Sequence, residues 1–402
     1  MRVFAALFCA SVLALAALTP MTAQQSSKQI VNAGPSSPNP LSAAVKAGGF
    51  VYVSGQYGQD AKGAITGDVK AQTRQALDNI ETILKAAGSS LTNAASMTVY
   101  LRNIGDVAAM NEAYASRWPK DPPARTTVSG PLANPDALIE IVTTAIPNGG
   151  QRVVVNPNEW MKTNPYSYGI KSGNTLFMAG LLSRNGKDNS AVKGEMAAQT
   201  KVALDNAGVV LKAAGMSYGN VTGVRVFITD VAKFQDMNGA YRPYFPPANL
   251  PARATVRVAL PGADYEVEIA MVAVADPGRA AITTPNADGT PGNAGPNFSS
   301  AIRAGHRLFV SGMLGNTNTN KDDVKGQTSE ALARIGRTLK AGGFDWIDVV
   351  DTNVFMPDLS KFADMNAEYR RVLTKDFPAR ATLGAGLVNS DALVEIMMTA
   401  AR

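Results

Sequence analysis

The segment Pro123-Ala124-Arg125-Thr126-Thr127-Val128, followed by Leu138-Ile139-Glu140-Ile141, has two further copies in the chain. These are Pro251-Ala252-Arg253-Ala254-Thr255-Val256 with Val267-Glu268-Ile269, and Pro378-Ala379-Arg380-Ala381-Thr382-Leu383 with Leu393-Val394-Glu395-Ile396. In each copy the glutamate comes 15 residues after the arginine, and the unit recurs after 128 and then 127 residues. A period of this length matches a whole domain rather than a short solenoid repeat. The sequence therefore predicts three copies of one module.

Other segments recur in the same phase. Helical patterns at 71–88, 198–215 and 326–343 align without a gap, and an Asn-x-x-Tyr motif follows each at Asn111, Asn238 and Asn366. A Pro-x-Ser or Pro-x-x-Ser element precedes each helix, containing Leu41, Tyr166 and Phe298 in turn. We expect modules at 30–147, 151–276 and 297–402, with the longer linker at 277–296, which is rich in Gly, Pro, Asn and Thr.

The first module predicts the order ββαβαββ. The strands are expected at Ala43–Lys46, Phe50–Tyr57, Ala95–Leu101, Arg125–Val128 and Ala137–Ala145. A first helix is capped by Asp68 and closed by Gly88, and a second runs from Asp106 through Tyr114. This order describes an α+β fold with two helices on one face of a mixed sheet. The other face needs a partner, so we expect the three sheets to pack around a pseudo-threefold axis with the helices outside. On this basis we also expect the chain to be a monomer.

Residues 1–23 have the pattern of a secretory signal peptide. Arg2 is followed by an apolar stretch and by small residues, which predicts cleavage after Ala23. The single cysteine, Cys9, lies inside this segment, so the mature protein would contain no thiol. These features predict a periplasmic or secreted protein that is not held at a membrane once the segment is removed.

The composition argues against several classes of function. The net charge is +6, but Lys and Arg are scattered and form no dense basic run, so we expect no nucleic-acid partner. His306 is the single histidine, which argues against a Ser-His-Asp triad or a His-rich zinc site. We expect no metal and no cofactor.

The repeated arginine and glutamate are the candidates for chemistry. A guanidinium is a planar, permanently charged group suited to binding a carboxylate. A glutamate in a strongly apolar strand is costly unless it is paired or used. By spacing alone, the two residues could form a partly buried ion pair between adjacent strands or a functional pair.

The combined motifs resemble the RidA family of reactive-intermediate enamine/imine deaminases, formerly labelled L-PSP endoribonucleases. The resemblance covers nearly all of residues 30–402, in triplicate. It implies a chorismate-mutase-like fold and a trimer with one active site in each cleft between subunits. Three fused copies then resemble that trimer with its three subunits joined in one chain.

The resemblance also implies roles for particular residues. It assigns binding of the substrate carboxylate to Arg125, Arg253 and Arg380, and orientation of the hydrolytic water to Glu140, Glu268 and Glu395. It further places Tyr166 in the catalytic site and lines the pockets with Asn111, Asn238, Asn366, Ser54 and Ser311. The implied reaction converts a 2-aminoacrylate-type enamine, through its imine, into a 2-oxo acid and ammonia. For the asparagines, a role on a helix face or in a turn is an equal alternative.

The chain departs from the family pattern in two places. The loop tyrosine is kept as Tyr166 but replaced by Leu41 and Phe298, and the serine before glycine is replaced by Ala179 in the second repeat. Two other functions therefore stay open: a non-catalytic module that binds small carboxylates or acts as a chaperone, and a ribonuclease. The glutamate in every repeat argues against a pure binder of anions. The lack of a histidine pair or an aromatic stacking platform argues against a ribonuclease.

Overall fold

The structure is a computed structural model that describes residues 28–35, 37–162, 165–248 and 250–402. The predicted signal peptide, residues 1–23, lies outside the described residues. Within the described ranges, no helix is both long and apolar enough to cross a membrane.

The three modules share one order of elements. The first contains β1 (Gln29–Val31), β2 (Ala44–Ala47), β3 (Phe50–Tyr57), α1 (Val69–Ala86), β4 (Ala94–Leu101), α2 (Val107–Ala115), β5 (Ala124–Ser129) and β6 (Ile139–Ala145). The second contains β7 (Val153–Val155), β8 (Gly169–Ser172), β9 (Thr175–Met178), β10 (Leu181–Leu182), α3 (Met196–Ala213), β11 (Val221–Ile228), α4 (Phe234–Tyr241), β12 (Ala252–Arg257) and β13 (Val267–Val274). The third contains β14 (Ala280–Ile282), β15 (Ala301–Ala304), β16 (Arg307–Leu314), α5 (Val324–Ala341), β17 (Val349–Met356), α6 (Phe362–Val372), β18 (Ala379–Gly384), β19 (Gly386–Leu387) and β20 (Glu395–Ala401). The predicted order ββαβαββ is confirmed in the first module, with one further strand in front of it. The second and third modules repeat this order and add the two-residue strands β10 and β19.

The first long helix, α1, forms as its sequence predicts. The Asp68 side chain accepts a hydrogen bond from the Ala71 backbone N–H at 2.9 Å and so caps the helix. Gly88 closes the helix in the left-handed region, with a φ of 72°. The apolar stripe faces the sheet and is buried, at Ala76, Leu77, Ile80, Ile83 and Leu84.

Each module forms a mixed sheet. The strand order is β1-β2-β3-β6-β4-β5 in the first module and β14-β15-β16-β20-β17-β18 in the third. The second follows the same order, with β10 as an extra partner of β13 and β19 of the third module added at its edge. In each sheet one neighbouring pair is parallel, for example β4 with β5, and α2 connects that pair. The arginine strand therefore lies at or next to the edge of its sheet, where it can meet another module.

The short first strand of each module was not predicted from the sequence. Strands β1, β7 and β14 are three residues long, too short to show a period-two pattern. Strand β14 lies inside the stretch 277–296 that we expected to be a linker. That expectation was wrong at Ala280–Ile282, since the third sheet begins there and not after residue 297.

The faces of the three sheets that carry no helices pack together, as predicted. Tyr100, Phe227 and Phe355 occupy the same position on β4, β11 and β17, and all three lie in one buried apolar cluster. Separate clusters join the helices of each module to its own sheet. The helices therefore lie outside, and burial of apolar surface on the axis holds the modules together.

Backbone hydrogen bonds close the modules into a ring. Ser129 and Ala259 exchange hydrogen bonds at 2.9 and 3.0 Å between the first and second modules. Strand β12 pairs with β19 between the second and third modules, and Gly384 N donates to Pro131 O at 2.8 Å between the third and first. Every module thus contacts both of the others.

The axis also carries a polar layer that breaks the threefold symmetry. Thr98, Arg225 and Asn353 occupy the same position on β4, β11 and β17, and they line one central cavity. The Arg225 Nη2 donates to Thr98 Oγ1 at 2.9 Å, and the Tyr100 hydroxyl donates to Asn353 Oδ1 at 3.4 Å. Three arginines at this position would repel one another in a low-dielectric site. The layer therefore suits three different modules around one axis.

Candidate active site

The three Pro-Ala-Arg segments lie at the seams between modules. Their proline carbonyls accept hydrogen bonds from the next module at 3.1 Å each: Pro123 from Ser167 N, Pro251 from Ser299 N, and Pro378 from Ser42 N. The seams therefore join the first module to the second, the second to the third, and the third to the first. Each seam contains one cleft, which we call the Arg125, Arg253 or Arg380 cleft.

The glutamate in each cleft comes from the module across the seam. Arg125 and Glu268 line one cavity, and Arg380 and Glu140 line another. The charges of Arg253 and Glu395 likewise interact with each other. Each arginine therefore faces the glutamate of the next module, and the ion pair within one repeat that spacing left open is not the arrangement that the fold builds.

Each arginine is held by an aromatic ring of its own module. The guanidinium carbons of Arg125, Arg253 and Arg380 lie 4.8, 4.7 and 4.9 Å from the ring centroids of Tyr114, Tyr241 and Tyr369. These rings belong to the Asn-x-x-Tyr motifs, so the motif supports the arginine by cation–π stacking. The arginines are 7, 2 and 1 % exposed, and this burial lowers the pKa of each guanidinium below its ordinary value.

Each glutamate packs against the glycine of the Ser-Gly or Ala-Gly element. A Cβ atom at Gly55, Gly180 or Gly312 would overlap the Oε1 atom of the glutamate in the same module. Across the seam, the Thr127 backbone N–H donates a hydrogen bond to Glu268 Oε1 at 3.4 Å. Glycine is therefore needed at this position because the carboxyl group approaches the backbone so closely.

Burial changes the protonation of these glutamates. It raises the pKa of Glu140, Glu268 and Glu395 from the ordinary 4.5 to about 8 each, and the guanidinium across the cleft opposes part of the rise. A carboxyl group with a pKa near 8 has both protonation states accessible near neutral pH. It can therefore act as a general acid and as a general base.

The arginine and glutamate both retain buried atoms that bind nothing in the protein. The Nη1 atom of each arginine and the Oε2 atom of each glutamate are buried without a hydrogen-bond partner. Polar atoms buried in this way are costly unless a ligand satisfies them. Each cleft thus offers a cationic donor and, across from it, a carboxyl oxygen to one bound molecule.

The loop tyrosine lies in the Arg125 cleft. Its ring centroid is 5.7 Å from the Arg125 guanidinium carbon, and Tyr166 lines the same cavity as Glu268. Phe298 occupies the corresponding place in the Arg253 cleft, 5.1 Å from that guanidinium, and Leu41 lines the Arg380 cleft. The Arg125 cleft therefore combines the arginine, glutamate and tyrosine that the sequence predicted, with residues from two modules.

The three predicted asparagines lie beside the arginines but make different contacts. Asn238 Oδ1 accepts a hydrogen bond from Arg253 Nη2 at 2.8 Å. Asn111 lines the Arg125 cavity, and its Oδ1 is buried without a hydrogen-bond partner. Asn366 Nδ2 donates to Asn39 Oδ1 at 3.2 Å, from the first module. Asn111 is thus available to a ligand, whereas Asn238 orients its arginine.

Ser54 and Ser311, predicted to bind substrate, instead fasten the seams. The Ser54 hydroxyl donates to Ser42 O at 2.6 Å and accepts from Arg380 N at 2.9 Å. Ser311 makes the same two bonds, to Ser299 O at 2.6 Å and from Arg253 N at 2.8 Å. Because both hydroxyls are fully buried and bonded to backbone, their role is to position the arginine strand.

A second tyrosine, which sequence reasoning missed, lies in the Arg380 cleft. Tyr57 lies opposite Glu140 in the pairing of β3 with β6, and the charge of the Glu140 carboxyl group acts on the Tyr57 hydroxyl. The corresponding residues in the other repeats are Leu182 and Leu314. The only signal in the sequence was this difference between the repeats, because Tyr57 lies within an alternating strand pattern that a core residue also satisfies.

The Arg380 and Arg125 clefts differ in size. The Arg380 cavity has a volume of about 750 Å³ and the Arg125 cavity about 340 Å³. Both are open to solvent at the seam and can hold a small organic acid. Within the part of the chain that the structure describes, no group of three or more His, Cys, Asp or Glu side chains could hold a metal ion.

The sequence matches one family of proteins over most of its length. The family model for endoribonuclease L-PSP matches residues 31–147, 157–275 and 291–402. The chain therefore belongs to the endoribonuclease L-PSP family, as three tandem copies of its domain, and the predicted resemblance is confirmed.

Known proteins resemble single modules or the overall fold. A RutC family protein of Pyrococcus horikoshii is 45% identical over 108 residues, which are 26% of this chain and 86% of the relative. The 3-aminoacrylate deaminase RutC of Acinetobacter baylyi is 42% identical over 108 residues, with the same coverage. A crystal structure of a chorismatase matches 77% of this chain and 93% of its own, with a TM-score of 0.53 and 16% identity. This last match concerns the fold alone.

Proposed function

We propose that the protein hydrolyses small imino acids, and the enamines that tautomerise to them, to 2-oxo acids and ammonia. One observation carries the proposal: a buried arginine and a buried glutamate of pKa about 8 share each cleft, with Nη1 and Oε2 unpartnered. The Nη1 atom can donate a hydrogen bond to a substrate carboxylate. The Oε2 atom can bind a water molecule or an N–H group of the substrate.

The arginine fixes the substrate. Two guanidinium N–H groups can bind the two oxygens of a carboxylate, and stacking on tyrosine limits the rotation of the guanidinium plane. In the Arg125 cleft this places the imine carbon between the arginine and Glu268. The glutamate then lies within the cavity that the substrate occupies.

The glutamate moves the protons. In its neutral form it donates a proton to the terminal carbon of an enamine, which yields the protonated imine and leaves the glutamate as a carboxylate. The resulting carboxylate accepts a proton from water as the water oxygen bonds to the imine carbon. That proton is then passed to nitrogen, and the C–N bond breaks so that ammonia leaves. The carboxylate takes the proton of the remaining hydroxyl group, whose oxygen, derived from water, becomes the carbonyl oxygen of the 2-oxo acid. The raised pKa supports both steps, since neither form of the glutamate is strongly disfavoured near neutral pH.

The relatives support this proposal at the level of one module. The name of the Acinetobacter baylyi protein describes a deaminase that acts on an unsaturated amino acid, a carboxylate-bearing enamine. The residues that would act here, Arg125 and Glu268, come from two different modules of one chain. The proposed sites therefore depend on the complete ring of modules.

The main alternative is a module that binds carboxylates without hydrolysing imines. The replacement of the loop tyrosine by Leu41 and Phe298 favours it for the Arg380 and Arg253 clefts. The presence of Glu140 and Glu395 in the same clefts favours hydrolysis.

Ammonia release distinguishes the two functions. The mature protein is supplied with 2-iminopropionate generated in situ and, in a second assay, with 3-aminoacrylate. We expect release faster than spontaneous hydrolysis, and loss of that acceleration when all three glutamates are changed to glutamine. Binding of 2-oxo acids by a protein that accelerates neither reaction would support the binding module instead.

Export remains a proposal that rests on residues 1–23. We also propose that the protein is a monomer, which the closed ring of modules supports. Fractionation of cells that express the full chain, followed by mass spectrometry of the mature N-terminus, tests cleavage after Ala23.

A further inference from the structure

The Arg125 cleft contains a second arginine that the proposed reaction does not use. Arg184 follows β10, at the start of the loop that leads toward α3, and lines the same cavity as Arg125 and Glu268. The charges of both arginines act on the Glu268 carboxyl group. The two guanidinium groups therefore share one cavity with this carboxyl group, and both attract it.

Arg184 is held in place while part of its guanidinium stays available. Its guanidinium carbon lies 4.9 Å from the ring centroid of Tyr265, so the guanidinium group stacks on that ring. The Arg184 carbonyl accepts a hydrogen bond from Asn206 Nδ2 at 2.7 Å, which fixes the backbone. The Nε atom is buried without a hydrogen-bond partner. A buried donor with no partner, on a side chain that is already oriented, is suited to bind an anionic group.

The other repeats do not carry this arginine. Ser54, Ala179 and Ser311 align, and the residue five positions later is Gln59, Arg184 and Asn316 in turn. The fold confirms the first pairing: Gln59 bridges Ile65 and Arg184 bridges Ala191, each across a loop in the same place. Gln59 also lines its own cleft, the Arg380 cavity. A change at this one position therefore distinguishes the clefts.

The charges of the two cavities differ accordingly. Among the described residues, the charged lining of the Arg380 cavity is Arg380 and Glu140. The charged lining of the Arg125 cavity is Arg125, Lys162, Arg184 and Glu268. With its glutamate ionised, the second cavity has two excess positive charges where the first has none. A ligand with two negative charges is the better match for it.

We propose that the Arg125 cleft takes 2-imino dicarboxylic acids, with the carboxylate next to the imine on Arg125 and the distal carboxylate on Arg184. The inference rests on the proposed function for the reaction itself. One water and one 2-imino dicarboxylate give one 2-oxo dicarboxylate and one ammonia, so the distal carboxylate takes no part in bond changes. Arg184 is a specificity residue, and the Arg380 cleft takes monocarboxylic imines.

Product binding tests the recognition without requiring turnover. Calorimetry compares 2-oxoglutarate with 2-oxobutanoate on the mature protein, and we expect one site per chain that prefers the dicarboxylate. Arg184→Gln installs the residue of the first repeat, and it should lower the ratio of dicarboxylate to monocarboxylate affinity about tenfold or more. Arg184→Lys should recover part of the ratio, because it keeps the charge but not the planar donor group.

Two further variants complete the comparison. Lys187→Gln removes a positive charge from the same loop, outside the cavity lining, and should leave the ratio unchanged. Gln59→Arg should create a second dicarboxylate site per chain in the Arg380 cleft. Circular dichroism of each variant verifies that it is folded.

The outcomes separate this inference from the proposed function. An affinity ratio that is the same in wild type and Arg184→Gln, or equal losses for both ligands, would overturn the role of Arg184. Binding that depends on Arg184 in a protein that accelerates the hydrolysis of no imine would keep the recognition and reject the reaction. Faster hydrolysis of 2-iminoglutarate than of 2-iminobutanoate, reversed by Arg184→Gln, would support both.

Discussion

Arg253, in the second repeat, faces Glu395, in the third, across the cleft between their modules, whereas Glu268 of its own repeat lies in the Arg125 cleft. The charge of each acts on the other, and the Ser311 hydroxyl bonds the Arg253 backbone to the module that carries Glu395. Each candidate site is therefore built at a seam by two modules, and not within one repeat.

This arrangement predicts which losses of activity overlap. Arg253→Ala and Glu395→Gln disable the same cleft, so the double variant should lose no more imine hydrolysis than the more damaging single change. Arg253→Ala and Glu268→Gln disable different clefts, so their losses should add. Steady-state rates of the single and double variants provide the measurement. Overlap between Arg253 and Glu268 would contradict the pairing across seams.

Arg253 should bind carboxylates through its planar donor group as well as its charge. Arg253→Lys keeps the charge but loses the paired donors, so it should bind 2-oxo acids more weakly than wild type and more strongly than Arg253→Ala. Calorimetric titration of each protein measures the order. An alanine variant that binds as tightly as wild type would make Arg253 a structural residue.

The three clefts should differ in turnover. The Arg125 cleft combines Glu268 with Tyr166, so Glu268→Gln should remove most imine hydrolysis, by roughly tenfold given typical contributions from acid–base catalysis. Glu140→Gln and Glu395→Gln should lower the rate of imine hydrolysis much less. Tyr166→Phe should lower this rate, as Glu268→Gln does. Equal losses of about a third from each glutamine variant would instead indicate three equivalent sites.

The buried glutamates should make stability depend on pH. Each carboxyl group has a folded-state pKa of about 8 against an ordinary 4.5, so the folded protein holds these protons more tightly than the unfolded chain. Their contribution to stability is complete below about pH 4.5 and is lost as the pH rises through 8. A variant with glutamine at Glu140, Glu268 and Glu395 does not titrate there. Between pH 5 and pH 9 it should gain at least about 1 kcal/mol of unfolding free energy relative to wild type.

Urea unfolding of the two proteins at both pH values measures this change. Each single glutamine variant should show part of this gain in unfolding free energy. As a control, the three single gains should add up to that of the triple variant, because the glutamates lie in separate clefts. A difference in stability between the two proteins that does not vary with pH would contradict the raised pKa values.

The mature protein should be a monomer in solution. The ring is closed by backbone bonds such as Gly384 N to Pro131 O, and the axis layer places a single Arg225 beside Thr98. Light scattering should therefore give the mass of one chain at all concentrations tested. A stable trimer of chains would indicate that modules of different chains associate with one another, in place of the three modules of one chain.

Much of the fold followed from local patterns. The bounds of α1 were predicted to within about two residues from the cap at Asp68, the closure at Gly88 and the apolar stripe between them. This was possible because capping and periodicity act over a few residues of chain. The strands β1, β7 and β14 escaped prediction. They are three residues long, and their pairing with the next strand is not visible in periodicity.

The candidate site was predicted less completely. The arginines and glutamates were found because their recurrence at fixed spacing is visible in the sequence. The contacts of Ser54 and Ser311 could not be predicted, because a short motif does not show which way a hydroxyl points; both hydroxyls bond to backbone at the seams. Tyr57 was missed, since its partner Glu140 lies on a strand far along the chain.

The sequence by itself determined that three modules of one fold follow one another, and which residue types each module offers. Those properties are local, since a helix cap, an alternating strand and a repeated motif depend on neighbours in the chain. Only the tertiary structure decided that Arg125 shares a cleft with Glu268 and Tyr166, and that Arg184 lines the same cleft. Those pairings depend on which sheet faces meet around the axis, and burial at the seams sets the pKa of the glutamates. Contacts between distant segments have no counterpart in local sequence patterns. The residues of each cleft are therefore known only from the way the three modules close into a ring.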